Sequence, residues 1–156
     1  MILQIPRAPL LLGLAGLIPF VAGACIATGA MNGLLTAAPD EGFLFVPQSD
    51  GVSLLVLYGT IILSFMSGVL WGFATKTQGP RAILGYVLSV LPAIWALLTA
   101  GQSPADRLVY LGAGFAALLL LDFYFYRLEL APPWWMRLRF LLTGIVLVCL
   151  TIGRWV

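Results

Sequence analysis

The chain has 156 residues, of which 62% are hydrophobic and 9% charged, with no histidine and a formal net charge of +2. A soluble domain would carry about 25% charged residues, so water is excluded as the main solvent; long unbroken apolar runs also exclude a barrel of short alternating strands. Lack of histidine removes the commonest general base and transition-metal ligand. The eight basic residues are scattered and form no nucleic-acid footprint.

The expectation is an all-α integral membrane protein, one domain over residues 1–156, folded as a bundle of five transmembrane helices. Span one runs over about 9–29 and is entered through Pro6-Arg7-Ala-Pro9. Pro19 lies mid-span and deprives the Ala15 carbonyl of its usual donor, a kink that membrane helices tolerate when neighbours re-satisfy the group. Gly13, Gly16 and Gly23 offer close approach on the same helix. Ala22-Gly-Ala-Cys25 has some likeness to a lipoprotein cleavage site, but the preferred reading is a retained first span. The outer loop, 30–51, carries Asp40, Glu41 and Asp50, and its Phe43-Leu-Phe-Val46 segment is too short to span. That segment is expected to fold back on the bundle or dip into the interface.

Span two, 52–74, follows a cap at Asp50. Its small residues Thr60, Ser64, Gly68 and Gly72 recur every four positions, so they share a face that a neighbouring helix backbone could approach. Trp71, between the two glycines, reads as an interfacial anchor filling space, with a ligand-stacking platform as the sharper alternative. Lys76-Thr-Gln-Gly-Pro80-Arg81 is a tight basic turn into span three, 81–100, which Pro92 interrupts near its middle. Ser103-Pro104-Ala-Asp106 is a helix start, with Ser103 as the cap, and opens span four, 105–126. Glu129 to Pro133 closes a short hairpin into span five, 134–155.

An odd number of spans puts the termini on opposite sides. With the N-terminus inside, Arg7, Lys76, Arg81, Arg127, Arg137 and Arg139 lie inside and only Arg107 and Arg154 outside, so the expected orientation is N-in, C-out. Cys25 and Cys149 both sit in apolar runs and read as inert small residues, with a disulfide as the alternative because both fall toward the same membrane face.

Asp122 is the one acid expected within hydrocarbon, and such a residue defaults to a functional hypothesis such as an ion or proton site. The structural reading is stronger. Reflecting the last hairpin about its midpoint puts Asp122 level with Arg139, where a carboxylate and a guanidinium can pair. No base accompanies Ser64, Ser67 or Cys149, so no catalytic residues are assigned and the chain is not expected to be an enzyme. Neither metal ligands nor a cofactor-binding pattern are expected.

Several segments together carry a resemblance: Pro9 with Leu-Gly-Leu-Ala-Gly-Leu-Ile-Pro-Phe20, Tyr58-Gly, Ile62-Leu-Ser-Phe65 and Ser67-Gly-Val-Leu-Trp-Gly72. Leu91-Pro92, Asp122 and Trp134-Trp-Met-Arg-Leu-Arg-Phe-Leu-Leu-Thr143 complete it. In this order they resemble the transmembrane protein 69-like family of small inner-membrane proteins. The family pattern often has a histidine where this chain has Leu70, which puts any chemistry built on that histidine in doubt here. The resemblance implies a multi-span inner-membrane protein and no known reaction.

The leading functional expectation is a non-catalytic accessory or assembly protein of a bacterial inner membrane. It would pack against a larger complex, respiratory by the family's distribution, or against a second copy. No Arg/Ser-rich presequence precedes Pro6, which favours the bacterial setting. The alternative is a small-solute or proton carrier acting as an oligomer, with kinks at Pro19 and Pro92 and Asp122 as its ion site.

Overall fold

The structure is a computed structural model and describes residues 5–30 and 50–156. Residues 31–49, and with them the expected Phe43–Val46 segment and the acids Asp40 and Glu41, lie outside the described residues. The described chain forms six helices: α1 (Arg7–Ala15), α2 (Ile18–Ala27), α3 (Gly51–Ala74), α4 (Pro80–Leu98), α5 (Pro104–Arg127) and α6 (Trp135–Trp155). Taken together, α1 and α2 make one apolar stretch of 21 residues, so among the described residues five segments are long and apolar enough to cross a membrane.

Local chemistry sets the helix ends. The Asp50 carboxylate accepts from the Ser53 N–H at 2.8 Å and caps α3. Ser103 caps α5 by accepting from the Asp106 N–H at 3.2 Å, while its hydroxyl donates to the Asp106 carboxylate at 2.7 Å. Pro80 takes the first position of α4, after Gly79 at φ 67°. Two helices end in the same backbone motif. After α2, Ala30 N–H donates to Cys25 O and Gly29 N–H to Ile26 O, with Gly29 left-handed at φ 72°. After α5, Leu130 N–H donates to Phe125 O and Glu129 N–H to Tyr126 O, but the left-handed residue is Glu129, at φ 60°.

The two prolines act differently. Around Pro19 the helix ends at Ala15 and restarts at Ile18, with Pro19 in the first turn of the new helix. The break therefore falls ahead of the proline, where the missing N–H would have closed the preceding turn. Tyr58 Oη donates to the Gly16 carbonyl there, at 3.0 Å, so α3 supplies a hydrogen bond that the broken helix lacks. At Pro92 the expected interruption does not occur: α4 continues from Pro80 to Leu98. Ser67 of α3 donates to the Ser89 carbonyl, just below the proline.

Helix α3 is the axis of the bundle and packs against α2, α4, α5 and α6. Its buried face is Gly51, Leu55, Val56, Gly59, Leu63, Met66, Ser67, Leu70, Phe73 and Ala74. Against it α4 presents a stripe of small or compact residues, Ala82, Gly85, Ser89, Pro92 and Ala96. A Cβ on Gly85 would meet the Ala74 Cβ at 3.1 Å, which measures how close the two helices run. The second close approach joins α2 to α3: a Cβ on Gly51 would run into the Gly23 carbonyl oxygen and the Ala27 nitrogen, both backbone atoms. Phe20, Phe115, Leu108 and Leu118 fill the space between these seams.

Candidate functional site

The buried polar chemistry collects where α5 and α6 face each other near the Leu128–Trp134 turn. Asp122 is completely buried. Its Oδ2 accepts from Arg139 Nε at 2.6 Å and its Oδ1 from the Trp135 indole Nε1 at 2.8 Å, so each carboxylate oxygen has its own donor. Trp135 and Arg139 are one helical turn apart and therefore share the face of α6 that meets Asp122. A carboxylate in hydrocarbon is tolerable only when paired and hydrogen-bonded, and both conditions are met here.

Aromatic packing ties this clamp to the axis helix. Phe73 of α3 meets the Trp135 ring edge-on at 5.2 Å between centroids and lies 6.2 Å from Phe125 of α5. Lys76, just beyond α3, donates to the Leu130 carbonyl at 2.8 Å and sits 5.4 Å over the Phe73 ring. The C-terminal end of α3 is thus fastened to the α5–α6 turn by one aromatic and one cation.

The guanidinium engages Asp122 through Nε rather than as a two-pronged fork. Its Nη2 has no hydrogen-bond partner among the described residues, and neither does the Thr143 hydroxyl one turn further along α6. Both residues line a cavity of about 300 Å³ between the α1–α2 break, α3, α5 and α6. Asp122 does not line it.

The small-residue face proposed for α3 lies elsewhere. Ser64 is half-buried, Gly68 and Gly72 are exposed, and nothing lies within 4 Å of a Cβ placed on either glycine. This face points out of the bundle, so the internal packing of α3 does not use it. Thr60, at the other end of the stripe, donates to the Val56 carbonyl at 2.7 Å and accepts from Arg107 Nη2 at 3.2 Å. Trp71 is half-exposed and stacks at a tilt on Tyr86 of α4, with centroids 4.7 Å apart. Cys25 and Cys149 are both free thiols.

Comparison with known proteins places the chain. Residues 5–154 match the family described as "Protein of unknown function (DUF3429)". The chain belongs to this family. It is also 34% identical over 154 residues to Transmembrane protein 69 of Xenopus tropicalis, a match that covers 93% of this chain and 53% of that protein. The family is the one that the segments Pro9–Phe20, Tyr58–Gly72 and Trp134–Thr143 resembled, and the chain spans about half the length of this curated relative. No solved structure matches it.

Within this DUF3429 chain, two features escaped the sequence reading. Trp135 reads as an interfacial aromatic beside Trp134, whereas its N–H is the second donor to Asp122. The signal was present, since Trp135 precedes Arg139 by four residues. Gly114 carries the other. A Cβ on Gly114 would meet Leu63 Cδ2 at 2.8 Å and Trp95 Cδ1 at 3.0 Å. The Trp95 indole donates to the Tyr110 carbonyl at 2.8 Å, which holds α4 against α5 on that side.

Proposed function

We propose that this multi-pass membrane protein is a non-catalytic accessory protein of a bacterial inner membrane, and that it seats the outward face of α3 against a neighbouring membrane subunit. The observation that carries this reading is the open groove at Gly68 and Gly72. The most extensively packed helix of the bundle turns two adjacent-turn glycines, with exposed Phe65 and Trp71 beside them, away from its own fold. In lipid, helices associate through close backbone approach and shape rather than through apolar burial, and a glycine groove flanked by large side chains provides both. A respiratory assembly is the partner class favoured by the family resemblance. Orientation is proposed as N-in, C-out on the bias of basic residues. With Arg139 withdrawn into the bundle, Arg7, Lys76, Arg81, Arg127 and Arg137 still oppose Arg107 and Arg154.

The carrier reading draws less support. A proton or cation site needs a carboxylate that can release its partners, whereas both oxygens of Asp122 are engaged and Asp122 does not line the cavity that Arg139 borders. Solubilising the membrane in a mild detergent and identifying co-migrating proteins tests the proposal. A defined partner should co-migrate with the native chain and be lost in Gly68→Leu and Gly72→Leu variants whose own thermal midpoint is unchanged. A monodisperse monomer, or a partner indifferent to both substitutions, would overturn it.

A further inference from the structure

Two grooves open on the outside of α5, one on either flank, and they differ at one end. The groove between α4 and α5 is the larger, about 560 Å³. Its lining is apolar except for the Trp95 indole, whose N–H already donates to the Tyr110 carbonyl, so nothing in it selects one lipid over another. The groove between α5 and α6 holds about 370 Å³, within the range of small-molecule sites. It starts apolar, along Gly112, Ala113 and Leu147, and ends at Arg154 and Trp155. Arg154 both lines the groove and is exposed, so its guanidinium is free to meet a group seated at the mouth.

Arg154 is the spare charge at this end of the bundle. Both described acids here are held by helix starts: Asp50 accepts from the N–H and the hydroxyl of Ser53, and Asp106 accepts from the Ser103 hydroxyl at 2.7 Å. Arg107 donates to Thr60 at 3.2 Å. Arg154 has no acid within ion-pair reach among the described residues and lies 5.9 Å over the Trp155 ring. A cation in the last turn suits the dipole of α6 by itself, but that does not account for the groove floor. A Cβ on Gly112 would meet Leu147 Cδ2 at 3.8 Å, an ordinary contact, so the packing of α5 on α6 does not require glycine there. Its missing side chain keeps the floor open.

Size and level fit a lipid tail. From Leu147 to Arg154 the groove follows α6 for about 10 Å, against about 15 Å of hydrocarbon in one leaflet. A tail lying in it therefore brings its head to Arg154 and to Trp155, an aromatic at the level where headgroups sit. We propose that the α5–α6 groove holds one acyl chain of an anionic phospholipid, drawn from the leaflet at the C-terminal end of α6, with its phosphate received by Arg154. A zwitterionic lipid carries a cation of its own beside the phosphate and gains less from a lone guanidinium. The proposal does not depend on the partner of α3.

Native mass spectrometry of the full chain in a mild detergent reads the bound lipid directly. The chain is titrated with phosphatidylglycerol and, in parallel, with phosphatidylcholine of the same acyl chains. One phosphatidylglycerol should bind saturably and about fivefold more tightly than phosphatidylcholine. Arg154→Gln should lose that preference with the thermal midpoint little changed, and Arg154→Lys should keep most of it. Gly112→Leu fills the groove and should weaken both lipids. Val109→Trp blocks the same groove from its exposed rim and serves where Gly112→Leu fails to fold. Ala117→Leu, in the α4–α5 groove, should change neither affinity.

Equal affinity for the two lipids, a preference that survives Arg154→Gln, or binding indifferent to the groove-filling variants would each overturn the proposal. A dimer that Gly112→Leu dissolves would overturn it too, because the groove would then belong to a second copy of the chain.

Discussion

Two seams of this bundle are closed by opposite means. Between α2 and α3 the helices cross where Gly51 meets the backbone of Gly23 and Ala27, with no side chain between them. Between α5 and α6 the contact is polar and directional, with Asp122 receiving one hydrogen bond from Arg139 and one from Trp135. Even the helix ends repeat the contrast, since the same capping motif uses Gly29 after α2 and Glu129 after α5. Close backbone packing uses every atom in holding the helices together and leaves no donors over. A charged seam cannot be so economical, because a guanidinium has more N–H groups than one shared carboxylate can absorb. The unused Arg139 Nη2 is a consequence of that excess.

The largest effect is expected at the charged seam. Replacing Asp122 with Leu leaves Arg139 as an uncompensated buried charge and should cost about 3–5 kcal/mol of stability, measured as detergent-induced unfolding followed by circular dichroism. Gly51→Ala should rank next. The added methyl runs into the α2 backbone at Gly23 and Ala27, so the helices must part, at a cost of about 3 kcal/mol in the same assay. A Gly51→Ala chain as stable as the wild type would mean that the α2–α3 seam is not the tight crossing described.

What the sequence made legible follows the same division. Charge was easy to place: acids are rare in membrane spans, and reflecting the hairpin about its midpoint brought Asp122 level with Arg139 before any coordinates. Caps at Asp50 and Ser103 were equally plain, because their side chains act within one turn of themselves. The small-residue stripe was harder. A four-residue repeat states that Thr60, Ser64, Gly68 and Gly72 share a side, but not which side faces inward. In lipid the hydrophobic effect no longer sorts large apolar residues from small ones between interior and exterior. The inward face proved to be that of Leu55, Gly59, Leu63, Ser67, Leu70 and Ala74, and the tight glycine seam began at Gly51, which reads as a mere helix start. The prolines divided likewise, because whether a proline breaks its helix depends on neighbours that composition along one strand of sequence does not name.

A smaller effect of opposite sign sharpens the contrast at the helix ends. Glu129 is exposed and held at φ 60°, a conformation that costs a side-chain-bearing residue about 1–2 kcal/mol and glycine almost nothing. Glu129→Gly should therefore stabilise the protein by about 1 kcal/mol, seen as a raised midpoint in the same unfolding assay. A loss of stability would indicate that the Glu129 side chain contributes a contact that outweighs its backbone strain.

The central claim is that Asp122 and Arg139 act as one structural unit and not as an independent titrating site. A double-mutant cycle tests it most directly, with Asp122→Leu, Arg139→Leu and the combined variant unfolded under identical conditions. Each single substitution should lose about 3–5 kcal/mol, while the double variant, which leaves no charge stranded, should lose at least about 2 kcal/mol less than their sum. A double variant that loses the full sum, or single variants as stable as the wild type, would contradict the account.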